Sequence, residues 1–196
     1  MRPRSADKQQ LVKQMAMKMA VKEGMEGFSM NKLAKACGIS VATLYIYYKD
    51  KDDLITQIAL EEGQRMTDIV LKDFDPNAHF AEGLRQQWKN RARHMMENPA
   101  AALFFEQLRS SSYHEKVTGT LMENFKVAMG TFVKNAWERG ELNKMTPEAY
   151  WSVAFAPLYS LTRFHNEGKS IGGKPFTLTD EVLWETFELV LKALKP

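Results

Sequence analysis

The chain has 196 residues, 44% of them hydrophobic and 26% charged, which excludes a disordered or collagen-like polymer and provides for one large core or two smaller ones. Its one cysteine, Cys37, excludes an internal disulfide and points to a reducing, cytoplasmic setting. The net charge of +3 is uneven: residues 1–49 carry nine Lys or Arg against three Asp or Glu, so the basic charge gathers at one end and the remainder is slightly acidic. A protein that meets nucleic acid with one module has this footprint, and so does a first helix with a solvated lysine face.

Apolar residues recur every three or four positions almost throughout and strand patterns are nearly absent, so the expected fold is all-α, with about nine helices. The first helix runs from Ser5 to Glu23, with Leu11, Met15 and Met19 on one stripe and Val12, Ala16 and Ala20 beside it. Lys8, Lys13, Lys18 and Lys22 on its other side leave no uncharged leader core and no apolar span, so neither export nor membrane insertion is expected. Ser29 caps a short second helix to Ala36, and Ser40 caps a third through Tyr47. Asp50 and Asp53 form a variant capping box opening a long fourth helix that ends near Asp75 and Pro76. The fifth carries Phe80, Leu84, Trp88, Ala92 and Met95; Asn98 and Pro99 start the sixth. Val117 to Arg139 form the seventh, closed by Gly140, and Thr146 and Pro147 open an eighth to Glu167 that Pro157 should bend. A glycine-rich loop from Gly168 to Pro175 leads to a ninth helix opened by Thr179.

The second and third helices, joined by Cys37, Gly38 and Ile39, have the lengths and the glycine turn of a helix-turn-helix. LAKACGIS from Leu33 to Ser40, followed by TLYIYYKDKDDL from Thr43 to Leu54, resembles the DNA-binding domain of the TetR family of bacterial transcriptional regulators. Leu33, Ala34, Gly38, Ile39, Ser40, Thr43, Leu44, Tyr45, Tyr47, Tyr48, Lys51 and Leu54 carry the likeness, which covers residues 8–60. The family's usual alanine, polar residue and glycine are replaced by Cys37, Val41 and Ala42. With Val41, Ala42 and Ile46 on the recognition helix, bidentate base contacts are few and contact with thymine methyls is favoured.

The resemblance implies an N-terminal DNA-binding domain, residues 1–53, and a C-terminal effector-binding and dimerisation domain, residues 54–196. The DNA-facing set is Ser29, Asn31, Ser40, Val41, Ala42, Thr43, Tyr45, Ile46, Tyr47 and Lys51. Ser29 and Asn31 stand where a helix start favours a phosphate, Thr43 and Tyr45 reach bases or phosphates through their hydroxyls, and Lys51 works with a helix dipole on a phosphate. Tyr47 corresponds to a phosphate contact in the family; Tyr48 and Leu44 read as core.

Other chemistry is not indicated. Gly168 to Lys174 spells GxxxxGK, but Pro175 stands where a magnesium-holding Ser or Thr belongs. His79, His94, His114 and His165 show no metal spacing, no GxSxG is present, and Cys37 reads as a small buried thiol. No catalysis, metal or cofactor is expected. The family likeness implies an effector cavity between helices four and eight, and Trp88, Met95, Phe104, Phe105, Phe125, Met129, Trp137, Phe155 and Tyr159 are its candidate lining, with Glu106, Arg109 and His94 as candidate anchors. Surplus apolar surface on the last two helices, at Trp151, Phe155, Leu158, Leu183, Phe187, Val190 and Leu194, suggests a homodimer interface. The expected function is a repressor released from operator DNA by a small apolar or aromatic molecule; control by a protein partner, or no effector, is the alternative.

Overall fold

The computed structural model describes residues 5–27, 29–114, 117 and 123–196. Its described helices are α1 Ser5–Glu23, α2 Met30–Ala36, α3 Val41–Tyr47, α4 Lys51–Val70, α5 Phe80–Glu97, α6 Pro99–Arg109, α7 Glu123–Glu138, α8 Pro147–Ala154, α9 Ala156–Glu167 and α10 Asp180–Leu194. The protein is all-α; among the described residues the one β feature is an antiparallel bridge between Lys169 and Pro175. The first turns of the expected seventh helix, with Leu121, lie outside the described residues.

The chain forms two compact units, one from Met1–Arg65 with Asn98–Met122, the other from Met66–Glu97 with Glu123–Pro196. This differs from a division after residue 53, and the reason is packing. In unit 1, Leu33 and Leu44 are fully buried beside Val12, Ala16 and Ala20 of α1, Leu54, Ile55 and Ile58 of α4, and Phe104 and Leu108 of α6. The core of the first three helices therefore includes half of α4 and Phe104 and Leu108 of α6. The Tyr113 hydroxyl, donating to Asp52 Oδ1 at 2.7 Å, ties the segment after α6 to the start of α4. On α1 the buried line is Val12, Ala16, Met17 and Ala20; Leu11, expected among the inward residues, is exposed.

In unit 2, α5 packs against α7, α9 and α10, and α10 also against α8 and α9. Gly83 is required at the α5–α7 contact, because a Cβ there would lie 2.3 Å from a ring carbon of Phe132. The helix expected from Pro147 to Glu167 is broken in two at Phe155. Pro157 has no N–H to offer the carbonyl of Val153, and the next carbonyl, that of Ala154, accepts from the Trp88 indole N–H at 2.8 Å. Helix α4 stops at Val70, five residues short of Asp75, where side chains of α5 take its last carbonyl: Gln87 Nε2 and Asn90 Nδ2 both donate to Val70 O, at 2.9 and 3.0 Å.

Candidate nucleic-acid interface and effector site

Local chemistry fixes the helix-turn-helix. Ser29 Oγ accepts the Lys32 N–H at 3.3 Å and Ser40 Oγ the Thr43 N–H at 3.2 Å, so each helix begins on a side-chain cap. Between them Gly38 takes φ 65°, a left-handed conformation that a side chain disfavours. Leu44 and Tyr48 point into the core, as their spacing predicted, and burial pushes the Tyr48 phenol up to about 12. On the opposite side of α3, Tyr45 is 53% and Ile46 75% exposed, with Ser40 and Ala42 also open to solvent. Val41 and Tyr47 are half-buried against the core, and the Thr43 hydroxyl lies 2.8 Å from that of Ser40. The outward set is thus Ser40, Ala42, Tyr45 and Ile46, narrower than the ten expected residues, with Ser29 and Asn31 exposed at the head of α2.

Lys51 is half-buried; its ammonium donates to Glu26 O at 3.2 Å and lies 3.6 Å from the Glu26 carboxylate. A phosphate at Lys51 must compete with Glu26. Cys37 is buried, and burial raises its thiol pKa, which disfavours the reactive thiolate.

The candidate effector residues separate. Phe104 is buried in the core of unit 1 and Phe105 packs partly against it, so neither belongs with the others. Glu106 and Arg109 of the same helix are exposed, while His94 is buried in unit 2. Trp137 donates to Asn143 O at 3.2 Å near the end of α7. Trp88 and Met129 are buried in unit 2, Trp88 edge-on to Phe187 at 5.4 Å. Phe125, Phe155 and Tyr159 come together with Trp151, which had been read as a dimer residue. Met95 is half-buried, its sulfur 3.6 Å from the Thr162 hydroxyl.

At the centre of that aromatic group is a residue the sequence reading missed, Arg91. Its guanidinium carbon lies 4.5 Å from the Phe155 ring centroid and 5.3 Å from those of Phe125 and Trp151. One terminal nitrogen donates to the Tyr159 hydroxyl at 2.8 Å, the other to Gln87 Oε1 at 3.2 Å. A sequence signal existed: Arg91 follows Leu84 by seven residues and Trp88 by three, on the inward stripe. An arginine is so often solvated that the stripe was read without it.

The expected dimer residues are mostly interior. Phe155, Leu158, Leu183, Phe187, Val190 and Leu194 are all buried within unit 2, so the amphipathic face expected to meet a second copy packs on the chain's own helices instead. Trp184, also on α10, lies under the Arg85 guanidinium, whose carbon is 4.1 Å from its ring centroid.

Comparisons with known proteins bear on these sites. Residues 7–58 match the family described as bacterial regulatory proteins, tetR family. A Haemophilus influenzae HTH-type transcriptional regulator is 36% identical over 93 residues, 47% of this chain and 50% of that protein. Another from Staphylococcus aureus is 38% identical over 74 residues, 38% of each. The matched region thus spans half or less of these curated relatives. Among solved structures, a TetR family transcription regulator from Marinobacter aquaeolei is 25% identical with a TM-score of 0.80, over 99% of this chain and 98% of that one. A TetR-family regulator from Haemophilus influenzae is 24% identical with a TM-score of 0.74, over 98% and 100%. An exposed α3 in a capped helix-turn-helix, heading an all-helical chain, defines the class as a helix-turn-helix protein. Residues 7–58 carry the N-terminal domain of the bacterial regulatory proteins of the tetR family, and the chain as a whole is similar in fold to solved regulators of that family.

Proposed function

We propose that this regulator is a homodimeric transcriptional repressor: unit 1 binds operator DNA, and a small, largely apolar effector bound in unit 2 lowers operator affinity. The observation that carries the reading is the outward side of α3, where Tyr45 and Ile46 stand exposed on a helix held by its Ser40 cap and its buried Leu44. Large side chains exposed on a helix flanked in the chain by the exposed Lys35 and Lys49 are suited to a major groove: the lysines supply attraction to phosphates, Tyr45 a hydroxyl for a base edge or phosphate, Ile46 a surface for thymine methyls. Unit 2 supports the effector role through its buried aromatic group. The coupling is a population shift, in which the effector binds better to a form whose two recognition helices are wrongly spaced for the two half-sites.

For a second copy the outward side of α10 is available, and Leu189 is exposed there at 65%. The reading is tested by selecting binding sites from random duplex DNA with the purified protein. Enrichment of a palindrome with half-sites about 34 Å apart, or a multiple of that, is expected. No enrichment, with salt-sensitive binding to every duplex, overturns it. Sedimentation of Leu189→Asp tests the dimer surface; an undiminished dimer places it elsewhere.

A further inference from the structure

Arg91 is the one Lys or Arg buried among the described residues, 4% exposed, and no carboxylate pairs with it there. Buried charges are ordinarily paired, because a lone ion in an apolar surround loses its hydration without replacement. The two hydrogen bonds of Arg91 go to neutral oxygens, and its Nε has no partner. The hydroxyl of Tyr150, itself 5% exposed, also has none. The two groups are neighbours across one ring: Tyr150 packs edge-on to Phe155 with centroids 6.0 Å apart, and the Arg91 guanidinium lies over the same Phe155. Burial keeps the Tyr150 phenol protonated and able to donate, against a smaller opposing effect of the Arg91 charge. Two unmet donors, one of them cationic, thus occur together inside a shell of rings.

We propose that Arg91 and Tyr150 form, inside unit 2, a binding site for the carboxylate of an amphipathic small molecule whose apolar body lies among Phe125, Trp151, Phe155 and Tyr159. The proposal rests on reading unit 2 as the effector-binding part of the regulator, and it adds an anionic head to an effector described so far as apolar. A carboxylate has two oxygens, so one can accept from Arg91 Nε and the other from the Tyr150 hydroxyl. One buried guanidinium balances one negative charge; a phosphate dianion would leave a charge unpaired among aromatic rings. The partly exposed Trp151 puts one side of the shell within reach of solvent.

The test titrates the full chain with decanoate and decanol, and with 2-naphthoate and 2-naphthalenemethanol, following tryptophan emission and thermal stability. The acid should bind at least tenfold more tightly than its alcohol in one series or both, which also separates alkyl from aryl bodies. Arg91→Gln should remove the acid's advantage, and Arg91→Lys should restore part of it, since lysine keeps the charge but not the planar fork. Tyr150→Phe removes one oxygen and should weaken the acid at least threefold, which serves if the Arg91 variants fail to fold. Equal binding of acid and alcohol in both series, an advantage that survives Arg91→Gln, or acid affinity unchanged in Tyr150→Phe overturns the site. Operator retention, measured on the selected duplex, is a separate readout. Acid preference with unchanged retention leaves the anion site standing and removes the effector reading; selective DNA binding with no acid preference does the reverse.

Discussion

One carboxylate, that of Glu141, holds the start of α5. It accepts the Phe80 N–H at 2.7 Å, lies 2.6 Å from His79 Nδ1, and accepts from Arg139 Nε at 3.1 Å. Burial alone would raise its pKa, but these donors outweigh that and hold it at about 2. A depressed folded-state pKa means that the unfolded chain binds the proton first. The contribution of Glu141 is therefore complete above the ordinary value of 4.5 and lost as pH falls from there towards about 2. Glu141→Gln should lower stability at pH 7 by about 1 kcal/mol, the group being near enough to solvent for screening, and should flatten the acid limb of urea midpoints. Identical acid limbs in both proteins would remove the carboxylate from that role. At Gly83 two effects oppose: alanine in a helix interior gains about 1 kcal/mol, but here its Cβ would strike the fully buried ring of Phe132, and such overpacking costs about 1–3 kcal/mol. Gly83→Ala should therefore lower the melting temperature; a rise would mean that Phe132 can move aside. Neither residue was legible in the sequence, since His79 and Phe80, the α5 partners of Glu141, are some sixty residues away from it and a glycine's neighbours leave no local pattern. Arg91 differs, since it stood on the inward stripe of its helix and was passed over only because arginine is so often solvated, whereas Leu44, Tyr48 and Cys37 could be read as core because their own helices or turn set their faces.

Helix beginnings were readable because their chemistry is local. Ser29, Ser40, Thr146 and Thr179 each accept the N–H three residues on, and the Asp53 N–H donates to Asp50 Oδ1 while Asp53 Oδ2 accepts from Lys49 N. Asn98 precedes α6 and its first-turn proline without a side-chain capping bond; its Oδ1 accepts from Arg65 instead. Helix ends were readable where a glycine made them, and at Tyr47 because the capping aspartate of the next helix follows three residues on. Gly140 does so with φ 69°, whereas α4 ends on the amides of Gln87 and Asn90, which no window around Val70 contains. In α3 the cap and the exposed face have separable effects. Ser40→Ala should cost about 1 kcal/mol of stability, because it frees the Thr43 N–H and the hydroxyl beside it. Tyr45→Ala should leave stability within about 0.5 kcal/mol but weaken binding to the selected duplex, since an exposed ring adds little to the fold. Thermal melts paired with duplex titrations distinguish them; loss of stability in Tyr45→Ala would mean that its ring belongs to the structure.

At the scale of the whole chain, α-periodicity revealed the all-helical class and motif spacing the helix-turn-helix, but not where one unit stops. A boundary after residue 53 follows the motif; the structure follows the core, and Phe104, 1% exposed and buried beside residues of α1 to α4, comes from a segment that returns after all of α5. Amphipathicity shows that a helix buries one face and is silent about which partner covers it, which is also why α10 was read as an interface between copies. The consequence can be measured. A fragment of residues 1–53 keeps α1, α2 and α3 but loses Leu54, Ile55, Ile58, Phe104 and Leu108, five side chains each at most 3% exposed in the chain. Removing even one large buried side chain costs about 2–5 kcal/mol, and domains as a class hold about 5–15 kcal/mol in all. The fragment should therefore show little helical dichroism and no cooperative melt, and should bind DNA weakly and without sequence preference through its lysines alone. The fragment 1–122, which retains every one of those side chains, should recover a cooperative transition. A folded 1–53 fragment with selective DNA binding would show that the first three helices suffice and that α6 only covers them.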